Sequence, residues 1–325
     1  MSDSRAFNSS LKNEMQGFID EKRLVGFKYE GEYNIMKRFD NYWKERGLDK
    51  TGLTPENIAE WLLMSDSEGA GSLNERVSVI RQFSKYLNGI GIQSYIPAIE
   101  AKYIPPLPHI FTQDEITELF SIIDAHVSCS HVFFSKRMSD EYPILFRLIY
   151  LNGLRISEAC KLATSETVFD EGIITILDGK GRKDRLVYLS KDMSELCLQY
   201  LKHLEKVTGQ HQRWLFPGRH ICDPIGIATV EHKFMEFWEQ TSFSANCGIK
   251  PTVHDLRHTF VVNRINAWSE QGLSFSQMLP YLSKYLGHKT FNETFYYYHY
   301  TREAAKNIRK KDSTIKKVIP EVMRR

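Results

Sequence analysis

The chain has 325 residues, 42% of them hydrophobic and 26% charged, which is enough for two cored domains and excludes a small disulfide-stapled module or a disordered chain. No apolar run reaches the roughly 20 residues a membrane span needs, and the polar start MSDSRAFNSS lacks a secretory pattern, so a cytoplasmic protein is expected. The net charge of +3 is unremarkable, but residues 301–325 hold nine basic against three acidic residues, while residues 1–103 hold 14 against 15.

In chain order, the first hundred residues predict four helices. Phe7, Leu11 and Met15, then Tyr33, Met36, Phe39 and Trp43, recur at helical spacing. Thr54-Pro55 starts a third helix, and Val77, Ile80, Phe83 and Leu87 stripe a fourth, whose opposite face is expected to carry Arg76, Arg81 and Lys85 to solvent or to phosphates. The stretch 94–109 contains four prolines and reads as a connector, giving a helical domain over 1–103, a linker over 104–110 and a second domain over 111–325.

Thr112 and Glu115 have capping-box spacing ahead of the stripe Ile116, Leu119, Phe120 and Ile123. Pro143 to Leu151 predicts a buried helix that ends at Asn152-Gly153, just before Arg155, whose charge requires Glu158 or a ligand. A hairpin is expected from Ile173–Leu177 and Leu186–Leu189, with Lys180, Arg182, Lys183 and Arg185 crowding its tip, where their charge needs solvent or a polyanion such as DNA. Helices follow around Leu196–Leu204, Val230–Trp238 and His254–Trp268, and Pro280 is expected to interrupt the helix between Phe275 and Leu286. The fold class is therefore mainly α with a small antiparallel sheet. The five cysteines are scattered without CxxC spacing, so neither disulfides nor a zinc site is expected; Cys129/His131 and His220/Cys222 are too short a pattern to specify a metal.

Four strings hold the remaining polar chemistry: NGLRISEA around Arg155, GKGRKDR around Lys180, HDLRHTF around His254 and Arg257, and LGH followed nine residues after His288 by Tyr297. In this order they resemble the tyrosine recombinase (phage integrase) family. The resemblance runs through the second domain and fits the N-terminal helices, as a core-DNA-binding domain, more loosely. It implies an enzyme that cuts and rejoins DNA through a 3′-phosphotyrosyl intermediate. Planar guanidiniums suit the clamp on phosphate oxygens that gain charge in the transition state, which assigns Arg155 and Arg257. His254, three residues from Arg257 and on the same helical face, is the candidate proton carrier for the tyrosine. By resemblance, Lys180 is the general acid for the departing 5′ oxygen, and His288 donates to the phosphate. Among Tyr296, Tyr297, Tyr298 and Tyr300, the family spacing to His288, Thr294 and His299 selects Tyr297.

The resemblance also implies double-stranded DNA with a specific core site as partner and a homotetramer acting on two sites. The segment 303–317, with Ala304, Ala305, Ile308 and Ile315, is the candidate for docking on a neighbour. No cofactor or metal is expected, in keeping with the lack of a GxxxxGK loop or a carboxylate cluster in the sequence. Residues 1–103 are expected to leave no room for an arm-binding module. Two alternatives are a type IB topoisomerase and a noncatalytic DNA-binding accessory protein.

Overall fold

The computed structural model describes residues 6–49, 52–63, 65, 68–98, 107–129, 131–177, 184–302 and 304, and the chain divides into two compact units, 1–107 and 108–325. Helices α1 (Lys12–Leu24), α2 (Glu30–Glu45), α3 (Pro55–Leu62) and α4 (Ala70–Gly89) make up the first unit. Their apolar stripes close on one core that includes Met15, Phe18, Met36, Phe39, Trp43 and Phe83. The start of α3 is fixed locally: Thr54 Oγ1 accepts from Asn57 N at 3.2 Å, Asn57 Oδ1 accepts from Thr54 N at 2.8 Å, and Pro55 occupies the first turn, where no N–H is needed.

The second unit opens with α5 (Gln113–Ala125), whose Thr112/Glu115 capping box is formed as the spacing predicts. Next come α6 (Phe133–Asn152), α7 (Ile156–Cys160), β1 (Thr167–Val168), β2 (Ile173–Ile176) and β3 (Arg185–Tyr188). The helices that follow are α8 (Lys191–Thr208), α9 (Ile227–Trp238), α10 (Val253–Glu270), α11 (Phe275–Leu286) and α12 (Phe291–Phe295). A 3-10 turn over Tyr296–Tyr300 continues from α12. The sheet is antiparallel in the order β1-β2-β3, with Ile174 opposite Val187 and Ile176 opposite Arg185. Strand β1 is absent from the sequence reading because two residues are too short to show a period.

Two proline-containing helices extend beyond what the sequence predicts. Helix α6 begins ten residues ahead of Pro143, and α11 runs unbroken through Pro280. A proline removes one N–H to the carbonyl four residues back, but burial on both sides outweighs that loss. Met138, Tyr142, Leu145, Phe146 and Ile149 hold α6 in the core, and Phe275, Leu282 and Leu286 hold α11.

Helix α6 ends where Gly153 takes a left-handed conformation (φ 66°), and α11 ends in the same way at Gly287 (φ 65°). Both ends turn the chain directly into the polar centre of this unit. A Cβ on Gly153 would lie 2.5 Å from the Phe260 ring, so Gly153→Ala combines left-handed strain of about 1–3 kcal/mol with a clash. Urea unfolding of that variant is expected to show at least this loss of stability.

Candidate active site

Arg155 stands immediately before α7, and its charge is met within one turn. Glu158 Oε1 accepts from Arg155 Nη1 at 2.8 Å, and Glu158 Oε2 accepts from the Arg155 backbone N–H at 2.8 Å. The other fork of Arg155 donates to the Gly287 carbonyl at 3.1 Å, which joins α7 to the end of α11. Arg185 approaches the same carboxylate from β3, with both terminal nitrogens on Glu158 at 2.8 and 2.6 Å and its Nε on the Tyr285 carbonyl at 2.8 Å. Burial alone would push Glu158 up; the bonds and charge of Arg185, followed by those of Arg155, overcome this and bring its pKa down to about 2.

Helix α10 contributes Arg257 and both histidines. Arg257 is 1% exposed; it donates to the Gly153 carbonyl at 2.5 Å and to the Leu286 carbonyl at 2.8 Å, and lies 3.3 Å from His288 Nε2 and 3.9 Å from Glu158. The termini of α6 and α11 are thus both tied to one guanidinium. His254 is exposed, while the protein packed around it and the neighbouring His258 and Arg257 hold its pKa down to about 4. His258, one turn further on, lies with its ring centre 4.6 Å from that of His254; burial and then Arg257 bring its pKa down to about 4. Both rings are therefore neutral at pH 7.

His288 follows Gly287. Its Nδ1 is 2.7 Å from Thr294 Oγ1, which is also 2.7 Å from Ser283 Oγ, so α11 and α12 fix its ring together. Tyr297 lies parallel to that ring with centroids 6.3 Å apart, and its hydroxyl is 2.9 Å from His258 Nδ1. Tyr297 is 4% exposed, and burial raises its pKa against the lowering effects of Arg257 and Arg155. The other tyrosines are occupied elsewhere: the Tyr296 and Tyr300 hydroxyls are 3.2 Å apart, and Tyr298 packs on Phe275 and Phe295. A cavity of about 830 Å³ opens beside this cluster, lined by Arg185, Lys284, Gly287, His288 and Lys289.

The structure brings Arg155, Arg257, His288 and Tyr297 together, with Glu158 beneath them and His254 at the rim. Lys180, Arg182 and Lys183 lie outside the described residues, as does the segment 303–317 apart from Ala304, which is buried. Two of the candidate DNA contacts need correction. Arg185 does not face outward at a hairpin tip; it is buried on the same strand face as Val187 and bonded to Glu158. Arg76 is buried too, bonded to Glu68 at 2.6 and 3.0 Å and stacked over Trp61, because 76, 80, 83 and 87 fall on one helical face. Arg81 is half-buried and donates to the Pro97 carbonyl, whereas Lys85 is exposed. The expected contact of His254 with the tyrosine hydroxyl is made instead by His258, which the sequence reading left without a role. The available signal was its i+4 spacing from His254, which puts both on one face of α10.

Residues 109–304 match a family model described as the phage integrase family. The chain is 25% identical over 268 residues to tyrosine recombinase XerC of Chlamydia caviae, covering 81% of this chain and 79% of that one. It is also 25% identical over 297 residues to tyrosine recombinase XerA of Thermococcus kodakarensis, covering 90% and 94%. In fold it is similar to a lambda integrase tetramer bound to a Holliday junction, at 17% identity and a TM-score of 0.59, covering 90% of this chain and 78% of that one.

The depressed pKa of Glu158 carries a pH prediction. Because its folded pKa lies below the ordinary 4.5, the carboxylate contributes stability above about pH 4.5 that is lost as the pH falls toward 2. Glu158→Gln leaves buried guanidiniums unpaired, so it should lose about 3–5 kcal/mol at neutral pH and show a shallower further decline between pH 4.5 and 2. Thermal unfolding across that range checks both effects.

Proposed function

The chain belongs to the phage integrase family, and from that premise we infer that it is a tyrosine-type site-specific recombinase that cuts and rejoins DNA through Tyr297. The observation that supports this reading is the meeting of Arg155, Arg257, His288 and Tyr297, from four separate segments, in one cluster at the ends of α6 and α11. The similarities are to recombinases and integrases, which weighs against the topoisomerase and accessory-protein alternatives.

In this reading the two arginines hold the non-bridging oxygens of a scissile phosphate, and their charge offsets what those oxygens gain as phosphorus becomes five-coordinate. His288, its ring fixed by Thr294, donates to the same phosphate. The Tyr297 oxygen attacks phosphorus, the bond to the 5′ oxygen breaks, and Lys180 protonates that oxygen as it leaves. His254, at the rim, is assigned to the phosphate rather than to the tyrosine proton. The product is a 3′-phosphotyrosine with a free 5′ hydroxyl, so bond energy is retained and the reverse attack joins a strand without a cofactor.

The partner is double-stranded DNA carrying a core site, engaged by four protomers on two sites, with the exposed Lys85 a candidate for backbone contacts. The first unit acts as the core-DNA-binding domain, and the protein resides with the DNA in the cytoplasm. No helix among the described residues is long and apolar enough to cross a membrane.

A duplex nicked just beyond the cleavage point traps the covalent intermediate, because the short 5′ fragment diffuses away. Wild-type protein should form an adduct with duplexes carrying its site, and Tyr297→Phe none; an adduct that persists in Tyr297→Phe removes the assignment. The logarithm of the DNA-binding constant should fall linearly with the logarithm of salt concentration as phosphate contacts release counterions. A flat salt response in a filter-binding titration argues against phosphate-based recognition.

A further inference from the structure

We propose that His258 is the proton acceptor for Tyr297: its Nδ1 takes the hydroxyl proton as the tyrosine oxygen bonds to phosphorus, and returns it when the phosphotyrosyl bond is reversed. The inference rests on the recombinase reading and assigns a residue to a step that reading leaves without one.

The geometry supports a direct role. Among the described residues, His258 Nδ1 is the polar atom hydrogen-bonded to the Tyr297 hydroxyl, at 2.9 Å, within the reach a general base needs. The two rings are tilted by 45° with centroids 5.3 Å apart, and the tyrosine is otherwise enclosed. His254 meets the His258 ring edge-on and is bonded to no phenol, so the proton has a shorter path to His258 than to the histidine of the HDLR string. Burial and the charge of Arg257 keep His258 neutral at pH 7, leaving Nδ1 free to accept in the tautomer that carries its proton on Nε2.

The other ionisable groups that bear on the pair are Arg257 and His254 on α10, Arg155 ahead of α7, Glu293 on α12, Tyr296 beside the phenol, and His288 stacked behind it. A phosphodiester held by Arg155 and Arg257 brings a negative charge that offsets the arginine field, which raises the basicity of His258 at the step where it is used. The balance is complete: one proton moves from Tyr297 to His258, the phosphorus–5′ oxygen bond breaks, and that oxygen takes its proton from Lys180.

The test is single-turnover cleavage of the nicked duplex between pH 6 and 9 by wild type, His258→Asn, His258→Phe and His254→Asn, with DNA affinity and thermal unfolding measured alongside. Asparagine can accept the tyrosine hydrogen bond but cannot take the proton. Both His258 variants should therefore cleave about 10²–10⁴-fold more slowly near neutral pH. Their rates should rise about tenfold per pH unit toward the ionisation of the phenol, while the wild-type rate stays nearly flat. If His258→Phe fails to fold, the smaller asparagine variant carries the test. Cleavage by His258→Asn within threefold of wild type, or slow cleavage with the wild-type pH profile, overturns the proposal, as does finding the steep pH dependence in His254→Asn alone. A wild-type protein that forms no adduct on duplexes carrying its site defeats the recombinase reading itself; an adduct with an unaffected His258→Asn defeats only this inference.

Discussion

The site is organised around a single carboxylate. Glu158 accepts from Arg155 through both its side chain and its main chain and from both ends of Arg185, and it lies 3.9 Å from Arg257. Three guanidiniums would otherwise repel one another in a buried space with no counter-charge, and one anion cannot neutralise all three. The remainder is supplied by main-chain dipoles. Arg257 donates to Gly153 and Leu286, Arg155 to Gly287, and Arg185 to Tyr285, all carbonyls at the C-terminal ends of α6 and α11. Those carbonyls lack intrahelical partners and sit at the negative end of the helix dipole, so the arginines satisfy the helix ends and the helix ends hold the arginines.

This reciprocity explains why two glycines matter to the chemistry as well as to the turns. Gly153 and Gly287 each end a helix in a left-handed conformation and face their carbonyls toward an arginine. At Gly287 a Cβ would also come within 3.2 Å of Arg185 Nη1 and 3.5 Å of Arg155 Nη1. The conformation and the close approach select the same residue, and His288 is delivered by the turn that Gly287 allows.

Much of this was legible in the sequence because the signals were local. The Thr112 capping box, the Gly153 end of α6, the antiparallel hairpin and the clustering of Arg155, Arg257, His288 and Tyr297 follow from spacings within a few residues or from ordered motifs. The misreadings arose where tertiary burial overrode a local rule. Helix α11 runs through Pro280 and α6 begins ahead of Pro143 because both are buried, and Arg185 is drawn inward because its strand alternates with Val187 on the core side. Grouping Arg185 with the other hairpin charges counted its charge and overlooked its parity in the strand. His258 was overlooked for a similar reason: a second histidine in HDLRH gains a role only once the 3-10 turn brings a phenol to it from 39 residues away.

If Tyr297 is the nucleophile, as proposed, its burial sets a constraint on how it is activated. In the free protein its pKa is raised, with burial outweighing Arg257 and Arg155. When a phosphate occupies the arginines, part of the positive field that favours the phenolate is spent on the phosphate, so the phenol becomes harder to ionise in advance of attack. Activation by the arginines alone therefore works against itself, since the better they hold the substrate, the less they stabilise a free phenolate. The same change makes a neighbouring imidazole more basic, because the cation that suppressed its protonation has been offset. In the proposed mechanism, proton affinity thus moves toward His258 only when substrate is bound, and the phenol loses its proton as the new oxygen–phosphorus bond forms. A buried, neutral tyrosine beside a buried, neutral histidine is the resting arrangement that such coupling requires.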